Sequence, residues 1–107
     1  MPDSITITDK DNSRSVNLSP GTTLVVALDE NPTTGFNWHL QPYAENILKL
    51  ESDDYSLGKG AVGGGGIRRF QFRATTKGHA AIRLRYRRSW ESPEEFAKEF
   101  AVDVLVQ

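Results

Sequence analysis

Ala80-Ala81-Ile82-Arg83-Leu84-Arg85-Tyr86-Arg87 decides the fold class, because apolar side chains at 80, 82, 84 and 86 alternate with arginines at 83, 85 and 87. A period of two places one face of an extended strand in a core and the other in water, whereas a helix would scatter the same residues around its axis. The pattern recurs along the chain. Leu24, Val26 and Leu28 share one face; Phe70, Phe72 and Ala74 oppose Arg69, Gln71 and Arg73; Phe100, Val102, Val104 and Val106 close the series. Shorter candidates at residues 5–8, 15–18, 36–41 and 47–56 are bounded by Asp, Asn, Ser, Pro or Gly. Several short strands without helical periodicity predict an all-β chain, a sandwich or a barrel. One segment competes: Ser92-Pro93-Glu94-Glu95 carries a helix-start signal, which predicts a turn or two of helix over 93–98 inside a loop.

The chain has 107 residues, enough to bury about two-thirds of the surface its unfolded form exposes, so one core and one domain over 1–107 are expected. No repeat or linker interrupts it. There is no cysteine, which removes disulfides, thiolate metal sites and a cysteine nucleophile from consideration. The formal net charge of −1 gives no overall field to condense the protein on nucleic acid or an anionic membrane, and neither is expected as a partner. No apolar run approaches the roughly 20 residues that cross a bilayer, and the N-terminus lacks a basic-then-apolar leader pattern. A cytoplasmic product is expected, or a secreted or periplasmic one whose leader has been removed. It is expected to act as a monomer.

If successive strands alternate in direction, the connections at 29–35, 58–66 and 88–98 emerge at one rim. The opposite end carries the tight turns Ser19-Pro20-Gly21 and Thr76-Lys77-Gly78-His79, with a slightly longer link at 42–46. Loops held by a rigid scaffold are where binding sites concentrate. The first rim loop, Asn31-Pro32-Thr33-Thr34-Gly35-Phe36, is stiff: Pro32 fixes its own φ and pushes Asn31 toward extended geometry, and Gly35 can take positive φ where the chain turns back. It reads as a structural turn or as a pre-ordered display. The second contains Gly58-Lys59-Gly60-Ala61-Val62-Gly63, formally a dinucleotide fingerprint, but that motif needs a helix after it and the sequence continues as a strand. Gly63, Gly64, Gly65 and Gly66 are then a slack loop or a bare backbone surface that another chain can approach closely. In the third loop Trp90 falls outside the alternation, as a lid folded onto the core or as an exposed anchor; Trp38, in phase with Phe36 and Leu40, is assigned to the core.

Chemistry-bearing residues are sparse. His39 and His79 are the two histidines, neither spaced from an acid and a nucleophile in a telling way, and Asp53-Asp54 reads as surface charge. No catalytic residue, metal site or cofactor is assigned, and the chain is not expected to be an enzyme. Arg83, Arg85, Arg87 and Arg88 form a basic edge of the kind that keeps a strand soluble and unpaired.

Taken together, the three loops resemble those of the chagasin family of cysteine-protease inhibitors, which carries an Asn-Pro-Thr-Thr-Gly-aromatic motif, a Gly-x-Gly-Gly motif and an Arg-Pro-Trp motif in that order. The first is complete as Asn31, Pro32, Thr33, Thr34, Gly35 and Phe36; the second is met by Gly63, Gly64, Gly65 and Gly66; the third is met by Arg88, Ser89 and Trp90, with serine in place of proline. The resemblance runs over essentially the whole chain. It implies an immunoglobulin-like antiparallel β-sandwich of seven or eight strands with its binding loops at one end. It also implies reversible, competitive inhibition of papain-like cysteine proteases, with Thr33 near the enzyme's catalytic pair and the other two loops on either side. The alternative is a non-inhibitory immunoglobulin-like module for adhesion or ligand binding.

Overall fold

The computed structural model describes residues 4–31, 34–57, 65–92 and 94–107. Among them are eight strands: β1 (Ser4–Thr8), β2 (Ser15–Leu18), β3 (Thr23–Glu30), β4 (Phe36–Leu40), β5 (Leu48–Leu57), β6 (Gly66–Ala74), β7 (Gly78–Arg88) and β8 (Lys98–Val106). A 3-10 turn at Asp9–Asp11, capped by the Thr8 side chain, links β1 to β2. Two four-stranded sheets result, ordered β1-β3-β6-β5 and β2-β8-β7-β4. Facing side chains from both sheets, among them Leu24, Val26, Phe70, Phe72, Ile82, Leu84, Phe100 and Val104, form the dry interior of a sandwich. The alternation in the sequence is therefore the alternation between core and solvent.

Strand direction reverses at every step along the chain. Neighbours of unlike parity are antiparallel, as in β3·β6, β5·β6, β4·β7 and β7·β8, while β1·β3 and β2·β8, of like parity, are parallel. The expected antiparallel sandwich is found, with parallel pairing at two edges: the chain crosses to the other sheet between β1 and β3, so β1 and β3 meet pointing the same way. The same rule brings the connections after β3, β5 and β7 to one end, as the loop spacing predicts. The connection after β1 also emerges there, set back from the rim and tied to β8 by Ser13 N donating to Ala101 O (2.7 Å) and Ala101 N donating to Asn12 Oδ1 (2.9 Å).

The predicted helix over 93–98 does not form among the described residues; Pro93 lies outside them. Glu95 N donates to Ser92 O (2.9 Å), one turn and no more, and Lys98 already belongs to β8 opposite Tyr86. With so few residues before the strand, pairing outcompetes a helix whose nucleus is costly and whose propagation has no room. In β5 a bulge between Leu50 and Ser52 shifts the phase. After it, Asp53 stands opposite Phe70 and Tyr55 opposite Arg68, so polar side chains turn to the inner face near the rim.

Candidate functional site

Each rim loop is held by its stems. In the first, Thr34 Oγ1 donates to Asn31 O (2.8 Å) and Thr34 N closes on the same carbonyl (3.3 Å), a local turn built from the side-chain chemistry that Thr offers. Asn31 N donates to the Tyr86 hydroxyl (3.0 Å), which ties the start of this loop to the strand that feeds the third. Pro32 and Thr33 lie outside the described residues. Gly35 has φ +83°, a conformation glycine accepts without a Cβ penalty. Phe36 stacks on Tyr86 with ring centroids 5.4 Å apart, and the Arg88 guanidinium lies 4.6 Å over the Phe36 ring.

In the second loop Gly63 and Gly64 lie outside the described residues, while Gly65 has open space around it. Gly66 does something else. It begins β6, paired with both Glu30 and Leu57, and a methyl group there would collide with the Ser56 carbonyl and the Tyr55 ring. That glycine is required by close packing within the fold, whatever else it does. The strand that follows, β6, removes the helix on which the dinucleotide reading depends.

The third loop begins as a four-residue turn in which Glu91 N donates to Arg88 O (3.2 Å), with Ser89 and Trp90 at the two central positions. Arg87 Nη1 braces it from beneath, donating to the carbonyls of Arg88 and Glu91 (both 3.2 Å), and Arg88 Nη1 meets Glu91 Oε1 at 3.3 Å. Arg85 pairs with Glu99 at 3.0 Å. The basic edge thus contributes to holding the loop and the sheet. Trp90 is 73% exposed, so it does not fold onto the core as a lid. Its ring rests on the first loop: a Cβ built on Gly35 would stand 2.6 Å from Trp90 Cη2. Glycine at 35 is favoured by its φ, and a side chain there would displace the indole from its seat on the loop. Trp38 is buried as predicted and donates through Nε1 to Asp29 O (2.9 Å).

Beneath the loops lies a group that the motif reading passes over. Glu30, 2% exposed, accepts from Trp38 N at Oε2 (2.8 Å) and from Arg68 Nε and Nη2 at Oε1 (3.1 and 2.8 Å); Arg68 Nη1 also donates to Asp53 Oδ1 (3.0 Å). Burial works against the Arg68 charge, but hydrogen bonds and attraction from Glu30 and Asp53 outweigh it and raise its pKa above the ordinary arginine value. Asp53 is thus part of a rim network and more than surface charge. His39, half-buried on β4, is held below the usual imidazole pKa by burial first and then by the Arg87 charge. A cavity of about 420 Å³ opens between the first two loops, floored by Glu30 and Tyr86 and edged by Gly65, Gly66 and Lys98. The Lys98 ammonium lies 4.8 Å from the Tyr86 ring centroid, as a cation over an aromatic face. Among the described residues no group of three or more His, Asp or Glu side chains is placed to hold a metal ion.

The profile described as "Chagasin family peptidase inhibitor I42" matches residues 17–104. The chain belongs to the chagasin family. Chagasin of Trypanosoma cruzi is 26% identical over 101 residues, covering 90% of this chain and 92% of its own. Amoebiasin-1 of Entamoeba histolytica is 28% identical over 105 residues, covering 96% of this chain and all of its own. A crystal structure of a cysteine protease inhibitor from Entamoeba histolytica superposes with a TM-score of 0.89 at 25% identity, covering 97% of this chain and 96% of that one. Membership in the chagasin family makes this protein a peptidase inhibitor and not an enzyme, and its two-sheet fold is that of the family's solved structures.

Proposed function

We propose that the protein is a reversible, competitive inhibitor of papain-like cysteine proteases that fills the catalytic cleft with the first loop and grips its sides with the other two. Asn31, Pro32, Thr33, Thr34, Gly35 and Phe36 form the wedge, with Thr33 nearest the enzyme's nucleophile. Gly63, Gly64, Gly65 and Gly66 flank it on one side, and Arg88, Ser89 and Trp90 on the other. The observation that carries this reading is the exposed Trp90 indole seated against Gly35, which makes an apolar anchor and the wedge one surface. A wedge stiffened by proline, by the Thr34–Asn31 bonds and by the Tyr86 tie has little freedom left to lose on binding. It occupies the cleft without offering a peptide bond aligned for attack, so the enzyme is blocked and the inhibitor is not consumed.

Titration against papain tests this. Inhibition that is competitive with a peptide substrate, leaves the inhibitor uncleaved and has a nanomolar or lower constant, about −12 kcal/mol or stronger, is expected. Absence of inhibition at micromolar concentration against several papain-like enzymes contradicts it.

A further inference from the structure

Glu30 is the last residue of β3 and stands where the first loop leaves the sandwich; Trp38, whose backbone N–H it accepts, lies two residues past the point where that loop returns. Arg68, its charged partner, lies two residues past the return of the glycine loop, and Asp53, the second partner of Arg68, lies on the strand that leads into that loop. One buried carboxylate therefore joins both stems of the first loop directly and both stems of the second through a single guanidinium. The next residue, Asn31, is tied to Tyr86 on the strand feeding the third loop.

An arrangement of this kind is a poor way to gain stability alone. Buried ion pairs return little after desolvation and are often replaceable by apolar side chains, while their best-attested use is to fix one register against others. Here what is fixed is the placement of the stems of the first two loops. The three donors around Glu30 are served by two carboxylate oxygens, so the geometry is directional in a way that apolar packing is not. We propose, resting on the inhibitor reading above, that Glu30 is a positioning residue of the rim: its carboxylate fixes the stems of the wedge and of the glycine loop relative to one another, so that both meet the protease at once.

The test compares inhibition constants against papain, dissociation rates and urea unfolding for four proteins: wild type, Glu30→Gln, Glu30→Gln/Arg68→Met and Val104→Ala. In Glu30→Gln one amide oxygen replaces two acceptors and an NH₂ group faces a donor, so the inhibition constant should rise at least about tenfold, mainly through faster dissociation. In the double variant the glutamine oxygen can still accept from Trp38 N and no buried charge is left unpaired. It should unfold at or near the wild-type urea midpoint yet inhibit at least about fivefold more weakly, because the link between the loops is gone. Val104→Ala opens a void at the far end of β8, and should lower the midpoint without changing the constant. A double variant that inhibits within twofold of wild type overturns the proposal, as does a Val104→Ala variant that loses as much affinity as Glu30→Gln. Should Glu30→Gln not fold, the double variant alone decides. Failure of the wild type to inhibit papain is a separate result, and rejects the inhibitor reading itself.

Discussion

The two ends of the sandwich are closed by different physics. At the end away from the rim backbone bonds predominate: Gly21 N donates to Ala74 O (2.7 Å), Ala74 N to Thr22 O (2.9 Å), Thr75 N to Ile47 O (2.9 Å) and Gln107 N to Leu18 O (2.9 Å), over a floor of Leu18, Leu48 and Val106, with neutral hydroxyls of Thr75 and Tyr43 adding to them. At the rim end charged side chains are added to the backbone turns, through the Glu30–Arg68–Asp53 network and the Arg87 brace, together with the Tyr86 hydroxyl. Backbone closure is generic and tolerates many sequences. Side-chain closure is directional and holds each loop at a chosen place, which is what a surface that must arrive preorganised requires. The difference separates stability, concentrated in the apolar end and the core, from recognition, concentrated in the polar end.

That separation can be broken by substitutions at either end. Leu48→Ala should have the largest effect: a fully buried side chain opposite Ala74 is removed, and unfolding free energy should fall by about 2–5 kcal/mol. Its inhibition constant, measured where the variant remains folded, should not move; a parallel loss of affinity would show that the two ends are coupled. Trp90→Ala is the mirror case. Binding should weaken by about 2 kcal/mol or more, while denaturant stability changes by less than about 0.5 kcal/mol, because the indole is exposed. A large loss of stability with normal binding would return Trp90 to a structural role.

Ser89→Pro sharpens the contrast with the smallest change. Ser89 occupies the first central position of the turn closed by Glu91 N and Arg88 O, where proline is favoured, and the preceding Arg88 is the last residue of a strand and already extended. Proline should remove free-state conformations without new contacts and tighten inhibition by about two- to fivefold, equivalent to about 0.4–1 kcal/mol. A tenfold loss would mean that the bound loop departs from this turn.

Most of this was legible in the sequence because period-two alternation and loop spacing are local properties. The eight strands, the shared rim and the burial of Trp38 follow from them. The parallel edges were not, since they depend on the chain crossing between sheets, and the absent helix at 93–98 was decided by β8 pairing with Tyr86. Glu30 and Arg68 left a signal that motif reading skips: Glu30 continues the inward phase of Leu24, Val26 and Leu28, and Arg68 that of Phe70, Phe72 and Ala74. Opposite charges on the core faces of two strands announce a buried pair, provided the strands are neighbours, which the sheet order supplies. Asp53 was hidden by the bulge, which changes the phase of β5 in a way that alternation cannot forecast. The role of Gly66 was likewise out of reach, because what crowds it is the neighbouring strand.

Entry of the rim into the catalytic cleft can be measured as binding to papain whose catalytic cysteine has been alkylated by a peptidyl inhibitor that fills the cleft. Affinity for this blocked enzyme should fall at least about a hundredfold relative to free papain, since wedge and peptide compete for one space. Undiminished binding to the blocked enzyme would place the contact elsewhere on the protease and rule out a wedge in the cleft.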